Sequence, residues 1–173
     1  EGRWEDLIAM YRREMEVSRS DERATGLLMR IAEIASERLK NDDRAVEVYR
    51  ELLARSPGSV PALKAMAEIH RRRGDLGALS AVMLAEASHT TDVAERTKSL
   101  YAVAEMYEHR LGDATRAAEL HGEVLRVGHH PGSIEALVRI HSAHKAWPAL
   151  VEVLELALER TPDTVAKAWE DAI

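Results

Sequence analysis

The sequence predicts an all-α protein assembled from antiparallel helix pairs, and three observations carry that prediction. The first is composition: hydrophobic residues make up 46% of the 173 positions but aromatics only 4%, with no Phe. Ala, Leu, Glu and Arg dominate instead, so helix propensity is high along nearly the whole chain. The second is an internal repeat. Ile31-Ala32-Glu33-Ile34, with Arg38-Leu39 and Arg44-Ala45, returns 72 residues later as Val103-Ala104-Glu105-Met106, with Arg110-Leu111 and Arg116-Ala117. Leu53 maps onto Leu125 in the same way, and Trp4-x-x-Leu7 recurs as Leu76-x-x-Leu79 and Trp147-x-x-Leu150. Ile69-His70 recurs as Ile140-His141 at an offset of 71, one residue having been lost near 128–131. A period of tens of residues marks stacked supersecondary units. The third observation is spacing. Leu28, Ile31, Ala32 and Ala35, then Ala45, Val48, Tyr49 and Leu52, fall at helical intervals, and links of a few residues force neighbouring helices to run antiparallel.

Taken in order, the pattern places helices over 4–18, 21–40, 42–55, 59–73, 75–88, 92–110, 113–127, 132–145 and 147–160, with a last one starting near Pro162. Asp42, Asp75, Asp92 and Asp113 stand at helix starts, where a short acidic side chain caps free amides or complements the helix dipole. Arg71, Arg72 and Arg73 stand at a helix end, where the dipole favours cations, and Gly74 stops the helix. Gly112 and Pro57 punctuate in the same way.

Four units in register resemble the tetratricopeptide repeat (TPR), a helix–turn–helix of about 34 residues with apolar residues at fixed places and a closing Pro. The resemblance is carried by Leu28-x-x-Ile31-Ala32 with Ala45-x-x-x-Tyr49 and Pro57, and by Leu63-x-x-Met66-Ala67-x-x-His70 with Leu79-x-x-x-Met83. It continues in Leu100-x-x-Val103-Ala104-x-x-Tyr107 with Ala117, and in Leu137-Val138-x-x-His141 with Leu150-x-x-x-Leu154 and Pro162. The second-helix sites Leu7, Ala45, Leu79, Ala117 and Leu150 are spaced 38, 34, 38 and 33. The longer turns at 40–43 and 110–113, and His121 where a large aromatic is usual, depart from the family pattern. The resemblance implies a right-handed α-solenoid, a TPR-like superhelix through 1–173. Its parts are a half repeat 1–20, repeats of about 21–57, 58–91, 92–128 and 129–162, and a half repeat 163–173. By register the first helix, with Trp4, Leu7 and Tyr11, lacks its pair-mate, and so does the last, with Val165, Ala168 and Trp169. The chain thus reads as a cut from a longer array whose uncapped ends invite end-to-end self-association.

Composition and motifs exclude several sharper functions. A formal net charge of −6 speaks against nonspecific nucleic-acid binding and against anionic membrane surfaces. No apolar run is long enough for membrane insertion. The absence of Cys removes disulfides, thiol catalysis and cysteine metal sites, and leaves the compartment open, with cytoplasm slightly favoured. Arg over Lys and the Ala bias suggest a GC-rich bacterial genome. No Gly-rich phosphate loop or Gly-x-Ser-x-Gly occurs, so no cofactor and no enzyme activity are expected. Eight His residues raise a metal reading, above all His129-His130 and His141-x-x-His144. Metal sites need three or four converging ligands, whereas His70, His121 and His141 sit at packing positions and no Cys or acid cluster attends the others. Glu86-x-x-His89 is half of a di-iron helical pattern whose second copy is missing.

A protein-binding scaffold is therefore the expected function, with a peptide or protein as partner; a structural spacer, or the sensor arm of a larger regulator, are the alternatives. In TPR proteins the first helix of each pair lines a concave groove. Carried over, that register selects Glu33 and Glu37, then Lys64, Glu68, Arg71 and Arg72, then Lys98, Tyr101, Glu105, Glu108 and His109, and finally Arg139; Ser36, Glu135 and Ser142 stand beside them. The expected groove is mixed in charge, with a cationic stripe from Lys64, Arg71, Arg72 and Lys98 and with Tyr101 as its aromatic anchor. Glu33, Glu68, Glu105 and Arg139 occupy the middle sites where carboxylate-clamping family members use Asn and Lys, so that specialised activity is not expected.

Overall fold

Every regular element among the described residues, 2–18 and 20–160 of the computed structural model, is helical. The chain divides into two units, Glu1–His89 and Thr90–Ile173. The first holds α1 (Gly2–Val17), α2 (Asp21–Glu33, continued by a π-helical turn Ile34–Arg38), α3 (Asp42–Arg55), α4 (Val60–Arg73) and α5 (Leu76–His89). The second holds α6 (Val93–Met106, continued by a π-helical turn Tyr107–Leu111), α7 (Ala114–Val127), α8 (Pro131–Ala143) and α9 (Trp147–Arg160). The predicted helix from Pro162, with Val165, Ala168 and Trp169, lies outside the described residues.

Within each unit every helix packs on the next in sequence, so each apolar stripe is buried by its chain neighbours. In the first unit Leu28, Ile31 and Ala32 of α2 meet the side of α3 that carries Ala45, Val48, Tyr49 and Leu52, all buried. In the second, Val103, Ala104, Ala117, Leu120 and Val124 are buried in the α6–α7 pair, and Leu125, Leu137 and Val153 join α7, α8 and α9. The described helices form a TPR-like all-α repeat array. Alanines at the crossings let backbones approach closely, and branched side chains fill the space between them.

The helix ends show the repeat at the level of single hydrogen bonds. The longer repeats owe their length to the π turns, which add 5 residues to the 13 of α2, against 14 in α4. The Asn41 amide donates to the Ala35 carbonyl (2.8 Å), and the Asp113 amide, 72 residues on, donates to that of Tyr107 (3.0 Å). Each first helix closes on a left-handed residue: Lys40 (φ 53°), Gly74 (69°), Gly112 (70°) and Lys145 (54°). Only the two glycines adopt that conformation without steric cost. Asp92 and Asp113 cap their helices as expected, and the Asp75 carboxylate takes the Ala78 amide. Asn41 rather than Asp42 caps α3, accepting from the Arg44 amide.

Candidate functional site

The residues assigned to the groove lie on the first helix of each pair: α2 with α4 in the first unit, α6 with α8 in the second. In the first unit Glu33 and Glu37 are exposed, and their charges reinforce the effect of burial on Tyr49, whose phenol is pushed up to about 12. Lys64, Glu68, Arg71 and Arg72 are exposed too, but the cations do not stand free. Lys64 Nζ lies 3.7 Å from Glu86 Oε1, and Arg71 pairs with Glu68 one turn earlier. Arg72 reaches Asp42 Oδ1 at 2.8 Å, an oxygen that also accepts from the Ser36 hydroxyl at 2.9 Å, and Arg73 reaches Asp43 at 2.9 Å. The Arg cluster thus ties the end of α4 to the acidic start of α3. Exposed pairs of this kind contribute at most about 1 kcal/mol each.

The second unit brings five of its six assigned residues together; exposed Lys98 stands apart, with no salt bridge among the described residues. The Tyr101 hydroxyl donates to Glu105 Oε1 (2.9 Å). Burial, then this bond, raises the phenol above its usual range. The Tyr101 ring lies against His130, with centroids 4.1 Å apart, and meets His121 edge-on at 5.6 Å. This approach depends on Gly132, because a Cβ there would come within 3.0 Å of the Tyr101 hydroxyl. Glu108, only 11% exposed, accepts from Arg139 Nε (2.9 Å) and Nη2 (2.6 Å) at one oxygen. Its other oxygen faces His121 Nε2 at 3.6 Å and His109 Nε2 at 3.8 Å. His121 is fully buried, with Nδ1 3.1 Å from the Ser133 hydroxyl. That hydroxyl is also 3.4 Å from His130 Nδ1, which caps α8 by accepting the Ser133 amide at 3.3 Å.

His121, His130 and Ser133 are the members that sequence reasoning did not assign. Their signal was faint: at the repeat positions of His121 and Ser133 the first unit has Tyr49 and Ala62. The Ser133–His121–Glu108 chain has the membership of a catalytic triad, yet Ser133 is 0% exposed, so no substrate reaches its hydroxyl. Its observed role is to join α6, α7 and α8. Among the described residues no three His, Cys, Asp or Glu converge to hold a metal. A separate open groove of about 580 Å³ is lined by α7, the end of α8 and the start of α9, including Ala114, Ala118, Gly122, His141, His144 and Ala149.

No family model matches the chain, and no curated protein does. Among solved structures it is similar to a Podosopora anserina chain described as a kinesin light chain with nearly identical TPR-like repeats. Identity is 17%, over 92% of this chain and 90% of that one, with a TM-score of 0.46. A variant of the same protein gives 16% identity over 94% and 90%, with a TM-score of 0.45. Neither similarity bears on what this chain binds. By its own helix pairing it is a TPR-like helical repeat protein.

Proposed function

We propose that the chain is a protein-binding scaffold that holds a peptide or protein segment on its first-helix faces, with the Tyr101–Glu105–Glu108–Arg139 group as the principal contact. The observation that supports this is the network itself. Residues chosen only by repeat register come together around a partly buried aromatic ring, and buried groups of three helices hold them in place. Preorganisation of this kind lowers the entropic cost of binding. The face carries both charge signs, so charge pattern sets partner choice and association rate. Partner capture by the chain should fall as salt is raised, and Tyr101→Ala or Arg139→Glu should abolish it while helicity is kept. Capture lost instead with Arg71→Glu and Arg72→Glu would move the contact to the first unit, and indifference to all four changes would refute the reading.

A second reading, an assembly or spacer segment, draws support from α9. Trp147, Val151 and Leu158 are 57%, 52% and 49% exposed and share one face of that helix, and Met10 and Val17 are exposed on α1. End-to-end self-association would cover such surface. Sedimentation that stays strictly monomeric at high concentration would exclude it.

A further inference from the structure

We infer that His121 is a proton-binding site whose charged form is prebuilt, and that its occupation loosens Arg139 from Glu108 on the face of the second unit. The inference starts from the hydrogens. His130 Nδ1 accepts the Ser133 backbone N–H, so it carries no proton. The Ser133 hydroxyl can then donate to His130 Nδ1 at 3.4 Å or to His121 Nδ1 at 3.1 Å. The shorter contact is the stronger. Neutral His121 therefore accepts at Nδ1 and keeps its proton on Nε2, toward Glu108 Oε2. The other tautomer would set two bare lone pairs face to face in a place closed to solvent. Even in the favoured tautomer the 3.6 Å contact is too long for a full hydrogen bond, and neither Nε2 nor Oε2 makes a hydrogen bond to any described residue.

A second proton, on Nδ1, requires only that one hydroxyl rotate. Ser133 then accepts from His121 and donates to His130. The imidazolium is bonded at Nδ1 and faces a carboxylate at Nε2, the condition under which a buried charge is tolerated. The surrounding groups fix the direction of the response. From α6 and its π turn come Tyr101, Glu105 and Glu108, with His109 against the same Glu108 oxygen; from α8 come Ser133 and Arg139, with His130 behind Ser133. Burial holds His121 below the usual histidine range, Glu108 and Glu105 oppose that, and Arg139 adds to it. Coupling between two charges is reciprocal. Because Arg139 disfavours the protonated ring, the protonated ring disfavours Arg139 beside it, and Glu108 has gained a cation from within. Acid thereby releases a guanidinium that is 56% exposed toward a partner's carboxylate. That final step rests on the binding reading above; the proton site does not.

Histidine-ring and arginine Nε–H NMR on the whole chain test the site without any partner. At neutral pH His121 should be neutral with its proton on Nε2, and it should titrate below the ordinary histidine range. The Arg139 Nε–H should lose its protection from exchange with the same midpoint. Glu108→Gln should move the His121 midpoint further down, whereas His109→Gln should leave it in place. A proton on Nδ1 at neutral pH, a ring already charged there, or an Arg139 signal indifferent to the titration overturns the inference. So does a midpoint that follows His109 and ignores Glu108. The wild-type titration decides alone if Glu108→Gln does not fold. In a separate arm, a Glu-rich peptide should bind more tightly as His121 titrates; unchanged affinity beside a working proton site refutes the final step only.

Discussion

At matched repeat positions the two units solve the same packing problem with opposite chemistry. In the first, buried Tyr49 and Ala62 fill the places that His121 and Ser133 take in the second, and ion pairs stay outside, where Arg72 and Arg73 reach Asp42 and Asp43. In the second, the polar chain runs through the interior, with Glu108 where Ser36 stood and Arg139 where Glu68 stood. The positions matching Asp42, Asp43 and Arg73 are Ala114, Thr115 and His144, and all three border the open groove. The backbone pattern survives both versions. Helix length, π turns and left-handed closures therefore define the repeat, while the side chains between helices are free to become polar wherever their hydrogen bonds can be met. A net hydrogen bond contributes about 1 kcal/mol, whereas a buried group left without one costs about 1–3 kcal/mol.

The comparison is tested most severely by pH. Tyr49, pushed up from 10.0 to about 12, releases its proton more readily in the unfolded chain. Stability should therefore be intact below pH 10 and fall as pH rises toward 12, by about 2–3 kcal/mol, and a Tyr49→Phe variant should lack this component. His121 is shifted the other way: the unfolded chain binds the proton more readily below pH 6.5, so its contribution is intact above that value and is lost as pH falls through the folded midpoint. Denaturant melts across pH, with Tyr49→Phe and His121→Tyr alongside, would separate the two; an alkaline loss untouched by Tyr49→Phe would refute the first half. The ion pairs make a smaller contrast. Arg139→Ala strands a largely buried carboxylate and should cost about 1–2 kcal/mol after allowance for its exposed partner, while Arg72→Ala should cost less than about 1 kcal/mol. Equal losses would show that the interior placement of Glu108 does not matter. Smallest are the turns. Gly74→Ala and Gly112→Ala should each cost about 1 kcal/mol, and Lys40→Gly and Lys145→Gly should each add a few tenths to about 1 kcal/mol; thermal midpoints that move the same way for all four would end the equivalence.

Much of the fold was legible in the sequence. Most predicted helix starts and ends fall within a residue or two of those observed, because apolar spacing and acidic starts are local signals. The π turns were not visible, since a turn of five residues and a turn of four read alike in a degenerate pattern; they surfaced only as spacings of 38 against 34. Left-handed closures at Gly74 and Gly112 were signalled by Gly, but Lys40 and Lys145 adopt the same φ with no sign in their identity. At the candidate site, register found Tyr101, Glu105, Glu108, His109 and Arg139, since these share one helix face each. It missed the His121–Ser133 bond, which joins two helices across a turn, and it gave no sign that Arg72, expected in a cationic stripe, also pairs with Asp42 at the start of α3.

The wide turns also order events in the making of this chain. Each π turn widens the end of its helix, and the two copies close theirs with equivalent bonds, Asn41 amide to Ala35 carbonyl and Asp113 amide to Tyr107 carbonyl, 72 positions apart. One insertion followed by doubling accounts for this more simply than two insertions at the same place. On that account the bulge predates the doubling, and the His121–Ser133 pair, present in one copy only, marks a difference that arose between the copies after it.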